Sequence, residues 1–234
     1  MKARYYLLGC LALTACDEAT QLETTGPVAV NFTQPFPVNA PDLPGFLPRD
    51  QGLYTAPDDT SNRVVLGKKV LISKHYDASD VAGAQLDSLH IPHRTGSGLS
   101  RTRLRYRVQA LAADSFRLRL ETQDTLLDLA GPQAPRLRYH QGYYYTSTPS
   151  RLDSTKWTVR RLAVAHGHLT RQLFNPDSLR VQALDPAVVQ RRRANGQLLI
   201  SLAPQSRRAI EQVSSYAGLW LDFPVSNPIK ISVE

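Results

Sequence analysis

From Gly52 to Phe174 apolar and polar residues alternate with a period of two. Arg103-Leu104-Arg105-Tyr106-Arg107-Val108 sets arginines on one face and apolar side chains on the other. Phe116, Leu118 and Leu120 interleave with Arg117, Arg119 and Glu121; Leu137 and Tyr139 interleave with Arg136, Arg138 and His140. Successive side chains of a strand point to opposite faces, so this alternation predicts half-buried antiparallel strands. Further strands are predicted at 63–66, 70–74, 125–129, 143–146 and 157–164. Ala165-His166-Gly167-His168 has the composition of a turn into another strand at 169–174.

The period changes late in the chain. Asp185-Pro186 reads as a helix start, since aspartate caps and proline fits the first helical position. Asn195-Gly196 reads as the stop, and the basic run Arg191-Arg192-Arg193 lies between them. A strand follows at 197–202, then a helix at 204–217 with Ala209, Ile210, Val213 and Ala217 on one face and Gly218 at its end. A third helix is expected at 81–90, and closing strands at 219–223 and 229–233. The fold class is therefore mainly β, a β-rich α+β chain. Its antiparallel sheets form a sandwich or barrel-like body, with two or three short helices mostly near the C-terminus.

Gln51-Gly52-Leu53-Tyr54-Thr55 returns 90 residues later as Gln141-Gly142-Tyr143-Tyr144-Tyr145-Thr146. Two β-meander halves, about 49–130 and 135–234, would account for it. Residues 16–48 differ from both. Pro27, Pro35, Pro37, Pro41, Pro44 and Pro48 recur too densely for a helix or central strand. The segment reads as a proline-rich tether, with Phe32, Phe36 and Phe46 available to dock its end on the body.

Ahead of the tether stands a different signal. Lys2 and Arg4 precede an uncharged apolar run from Tyr5 to Ala15, which Asp17 and Glu18 end abruptly. Eleven residues fall short of the roughly 20 a membrane-spanning helix needs, and the pattern is that of a secretory signal peptide. Leu13-Thr14-Ala15-Cys16 resembles a bacterial lipobox, which implies cleavage before Cys16 and lipid on its thiol. Leu7-Leu8-Gly9-Cys10 is a second such string, but cutting there leaves only five residues after Arg4. Each buried methylene contributes about 0.8 kcal/mol, so two or three acyl chains would make attachment lasting. Both cysteines lie in the first 16 residues, which leaves a body without thiols, disulfides, zinc-thiolate sites or cysteine nucleophiles.

With Asp42-Leu43-Pro44-Gly45-Phe46 and the Gly-x-Tyr-led strand at Gly52 added to its lipobox, the chain resembles small cell-envelope lipoproteins of Bacteroidota type. That resemblance implies an address rather than an activity: a lipid-anchored place in the cell envelope, expected at the outer membrane. Asp17-Glu18 after the cysteine resembles a surface-export signal in that group and an inner-membrane retention signal in other bacteria.

Charge then narrows the chemistry. The net charge is +8; loss of residues 1–15 removes Lys2 and Arg4 and leaves +6 over about 219 residues. Arginine outnumbers lysine 22 to 6. Arg103, Arg105, Arg107, Arg117, Arg119, Arg136 and Arg138 are the candidate anionic-ligand face, because guanidinium forks match carboxylate and phosphate. The competing reading is an ordinary solvated sheet face, offset by Asp114, Glu121 and Asp124. Nucleic acid is not the expected partner of an exported, lipid-anchored domain; an anionic glycan or an envelope protein is.

Other constellations stay below this level. His90-Ile91-Pro92-His93 and His166-Gly167-His168 have chelating spacing but sit in loop or turn sequence without close partners. Gly96-Ser97-Gly98 and Gly98-Leu99-Ser100 lack a nucleophile elbow, and Asp58-Asp59 has no assignable opposite carboxylate. Tyr143-Tyr144-Tyr145, Trp157 and Trp220 suit a sugar platform or a core, with the core favoured. No catalytic, metal or cofactor set is assembled. The sequence thus leaves three functions open: a non-enzymatic binding module, a polysaccharide- or peptide-acting hydrolase, and a structural or assembly accessory of the envelope.

Overall fold

The computed structural model describes residues 28–55, 61–100, 104–151, 153–175, 178–194, 197–216, 218–222 and 229–231. The lipobox, Asp58-Asp59 and Arg103 lie outside them. Fifteen strands are described: β1 Val28–Phe32, β2 Gly52–Thr55, β3 Asn62–Leu66, β4 Val70–Ala82, β5 Gly96–Leu99, β6 Arg105–Ala112, β7 Ser115–Asp128, β8 Arg136–His140, β9 Tyr143–Pro149, β10 Trp157–Ala165, β11 His168–Phe174, β12 Val189–Ala194, β13 Gln197–Leu202, β14 Trp220–Asp222 and β15 Ile229–Ile231. Helices α1 Gly83–Ser88, α2 Ser178–Gln182 and α3 Arg207–Ser215 are short, and two of the three are C-terminal.

The hydrogen-bonded path runs β12-β13-β1-β10-β11-β15-β2-β3-β4-β7-β6-β5, with β9 and then β8 on the other edge of β10. Two junctions on this path are single residue pairs, Phe32↔Trp157 and His168↔Ile229. The chain folds over there, so that β2–β3–β4 faces β8–β9–β10–β11 as a sandwich. Among the described residues the path ends at β12 and β5 without closing into a barrel.

Residue parity explains three layers. Along β9 and β10, Tyr144 and Leu162 point inward to meet Tyr54, Val64, Leu66 and Leu71 of the opposite sheet. Tyr145 and Val159, of the other parity, enter a second core with β1, β13, α2 and α3. The central sheet is thus buried on both faces. Its second core holds a closed circuit of rings, Phe32–Phe36–Tyr145–Trp220–Phe174 and back to Phe32, with centroids 5.1–5.7 Å apart. Helix α3 is capped by the Ser206 side chain and buries Ala209, Ile210, Val213 and Ser214.

Strand β4 outruns this body. Thirteen residues span roughly 43 Å, and β4 pairs with β7 as far as Ala82↔Ser115. Beyond the sandwich, β4, β7, β6 and β5 continue as an arm. The arm packs its own small core of Leu86, Ile91, Val108, Phe116 and Leu118 under α1.

Several expectations are corrected. The helix expected between Asp185 and Asn195 is a single turn, Pro186–Val188, followed by strand β12. A short isolated helix is marginal, whereas β13 offers a ladder from Val189↔Leu202 to Ala194↔Gln197. The three exposed arginines then guard an edge strand. The helix expected at 81–90 starts at Gly83, because β4 extends to Ala82 along its long partner. Residues 125–129 are no separate strand but the end of β7.

The tether ends earlier than expected. β1 pairs in parallel with β13 over five residues, and Phe32, Phe36 and Phe46 are almost wholly buried. Leu43 N–H donates to Leu137 O and Phe46 N–H to Lys68 O, so residues 28–48 belong to the body. A Cβ at Gly45 would sit 2.4 Å from the Lys68 carbonyl oxygen, which reserves that close approach for glycine.

Candidate anionic-ligand surfaces

The outer face of the arm carries the first surface. On β6 and β7, Val108, Phe116 and Leu118 are buried, while Arg105, Arg107, Arg117 and Arg119 are exposed on the opposite side. Register fixes their neighbours: Arg105 faces Glu121, Arg107 faces Arg119, and Gln109 faces Arg117. On β4, Asp80 stands beside Arg117 and forms a bidentate pair with it at 2.8 and 3.0 Å. That hydrogen bond and charge hold the Asp80 carboxyl below its ordinary range and push the Arg117 guanidinium up. Glu121 is taken by Lys74 at 2.9 Å.

Arg105, Arg107 and Arg119 are left with no ion pair among the described residues. They line a groove of about 800 Å³ together with Arg63, Tyr76 and Leu99. Arg63 stacks over the Tyr76 ring at 4.9 Å, and Leu99 is 65% exposed at the rim. The lining also holds two carboxylates, Asp77 and Glu121. Tyr76 faces Glu121 and Asp77 faces Leu120, so Asp77 and Glu121 have opposite parity.

Arg136 and Arg138 do not join this surface. They stand on β8, in the body. Arg138 is buried: Nε donates to Asp42 Oδ1 at 2.7 Å, and Nη1 donates to the carbonyls of Pro35 and Pro37 at 2.7 and 2.8 Å. It clamps the proline-rich segment on the sheet and is unavailable to a ligand, which corrects its place in the expected face. Arg136 shares Asp42 at 3.6 Å and stacks over Trp157 at 5.2 Å. The expected face of seven arginines is therefore an arm set of four plus two in the body, with Arg103 outside the described residues.

A third role for arginine went unread in the sequence. Arg161 is buried between the Tyr143 and Trp220 rings, at 4.0 and 4.7 Å. Its Nε donates to Gln172 Oε1 and its Nη1 to Ser214 O, both at 2.5 Å. The available signal was the doublet Arg160-Arg161 inside a strand, where alternation forces the two onto opposite faces.

Asp50 joins the two copies of the repeat. Tyr54 Oη donates to the Asp50 carbonyl, and Tyr144 Oη donates to Asp50 Oδ2 at 2.5 Å. Leu47 N–H in turn donates to Tyr144 Oη at 3.1 Å. Burial, then the Asp50 charge, pushes the Tyr54 hydroxyl up to about 12. Burial, then the hydrogen bond to Asp50, raises Tyr144 as well.

The histidine pairs stand apart. His93 Nε2 lies 2.9 Å from Asp87 Oδ1 and packs on Phe116, while His90 has φ 55°. His166 and Gly167, with φ 52° and 78°, make the tight β10–β11 turn. Among the described residues no three metal-ligating side chains gather, and no helix is long and apolar enough to cross a membrane. The fold and surfaces define a β-sandwich body that projects a basic β-arm. No protein-family model matches the chain, and comparison with curated proteins and with solved structures found nothing similar.

Proposed function

We propose that this chain is a lipid-anchored cell-envelope protein whose arm binds an anionic glycan, with no chemistry performed on it. The observation that carries the binding reading is the Arg107↔Arg119 pair beside Arg105. Like charges directly across a ladder destabilise a sheet, and no acidic side chain among the described residues forms an ion pair with these three, since Glu121, across from Arg105, is held by Lys74. An external polyanion relieves that repulsion and gains from guanidinium forks spaced along an open groove. Lipid on Cys16 gives the anchor.

The test has two parts. Full-length protein is passed over immobilised polygalacturonate and over neutral dextran. Retention on the polyuronate, weakened at least tenfold by Arg105→Glu with Arg107→Glu, supports the arm reading; equal retention of variant and parent removes it. In parallel, cells are fed a fatty-acid probe. Labelling that disappears in Cys16→Ala supports the anchor, and an unlabelled product with residues 1–15 intact overturns it.

A further inference from the structure

A second basic site lies at the open end of the sandwich, on the inner face of β9–β10–β11. Tyr144, Leu162 and Leu169 fill the interior between the sheets. Towards the open end the same face turns polar. Thr146 lies directly across from Arg160, Thr148 across from Thr158, and Arg171 across from Leu162. Arg160 and Arg171 are thereby diagonal neighbours, about 7–8 Å apart along the ladder and within reach of one ligand. A pocket of about 60 Å³ is lined by both arginines, Thr146 and Thr148, and roofed by Leu71, Leu126 and Leu127 of the other sheet. A buried water needs only about 10–15 Å³, so the pocket holds a small polyatomic group.

The described lining of the pocket carries arginines, hydroxyls and apolar side chains. Desolvation, and then the charge of Arg160, pushes the Arg171 guanidinium below its ordinary value. None of the described residues lining the pocket is acidic. Through Thr148 and Arg160 the pocket opens into a groove of about 970 Å³ that includes Ser150, Arg151, Trp157 and Thr158, again without a carboxylate among its described lining residues. A planar carboxylate presents two oxygens. Donors spread over three strands suit the three or four oxygens of a tetrahedral oxyanion better. The hydroxyl-rich groove beside them suits a polyol.

We propose that the Arg160–Arg171 pocket is an oxyanion site for the phosphate or sulfate ester of a saccharide, whose sugar lies in the adjoining groove. This site is separate from the arm, uses none of its residues, and stands whether or not the arm binds polyuronate.

Thermal unfolding is followed with phosphate, sulfate or acetate at constant ionic strength. Phosphate or sulfate at roughly tenfold its Kd raises Tm by about 3–5 °C, and acetate does not. The rise vanishes in Arg160→Gln and in Arg160→Gln with Arg171→Gln, and persists in Arg105→Glu with Arg107→Glu. Arg160 is exposed, so its single replacement keeps the test valid should the double variant fold poorly. Titration calorimetry then compares glucose 6-phosphate, inorganic phosphate and glucose. The sugar phosphate is expected to bind at least tenfold tighter than the free ion, and glucose not at all. An equal effect of acetate, or a phosphate effect untouched by Arg160→Gln, overturns the site. Equal affinity for sugar phosphate and free phosphate removes the saccharide.

Discussion

Arginine means opposite things in the body and in the arm. In the body, Arg138 and Arg161 are buried, and each meets acceptors or ring faces on several sides. In the arm, Arg107 and Arg119 are exposed, face one another, and meet none among the described residues. A guanidinium can leave water only where its five donors are answered. The thick, three-layered body supplies those answers through backbone carbonyls; a thin sheet with one covered face cannot.

Removing a buried arginine of the body is therefore the largest expected effect. Arg138→Ala orphans the Pro35 and Pro37 carbonyls, leaves Asp42 only its longer pair with Arg136, and frees the segment that carries Phe36. A loss of roughly 3 kcal/mol in urea unfolding is expected. A loss below about 1 kcal/mol would show that the proline-rich segment holds itself in place and that the body has no special need of its arginine.

The tyrosine–Asp50 cluster sharpens the same contrast at an intermediate size. Folding raises the Tyr54 and Tyr144 hydroxyls above the ordinary tyrosine value near 10. A group raised in the folded state contributes stability that is complete below its unfolded pKa and lost as pH climbs through the folded one. Urea midpoints should hold to about pH 10 and fall between pH 10 and 12. Tyr144→Phe costs about 1 kcal/mol at pH 7 through its lost hydrogen bond and makes the alkaline fall shallower. An unchanged alkaline slope would place the sensitive group elsewhere.

How far this was legible follows from what each residue needs. Period-two alternation marked the strands of both regions, because alternation is local. The split among arginines was not local. Arg136-Leu137-Arg138 and Arg117-Leu118-Arg119 have the same pattern, and partners about a hundred positions away, the carbonyls of residues 35 and 37 and the carboxylate of Asp42, separate buried from exposed. The same limit explains the misread 185–196 segment. Its capping signals were sound at Asp185, whose side chain accepts from Ala187 N–H. Beyond that turn, the unpaired edge of β13 decided for a strand. The Gly-x-Tyr repeat was readable as a string, while the shared use of Asp50 by Tyr54 and Tyr144 needed the two meanders to be stacked.

The smallest effect is the most informative about function. Arg107→Thr removes one of two like charges that face each other on an exposed ladder and substitutes a good strand former. Stability should stay within about 0.5 kcal/mol of the parent or rise by a few tenths. Because the repulsion is solvent-exposed, salt should relieve it: between 50 and 500 mM NaCl the parent gains more stability than the variant. A loss above about 1 kcal/mol would mean that Arg107 holds the arm together, as Arg138 holds the body. The arm would then have no arginines to spare for a ligand.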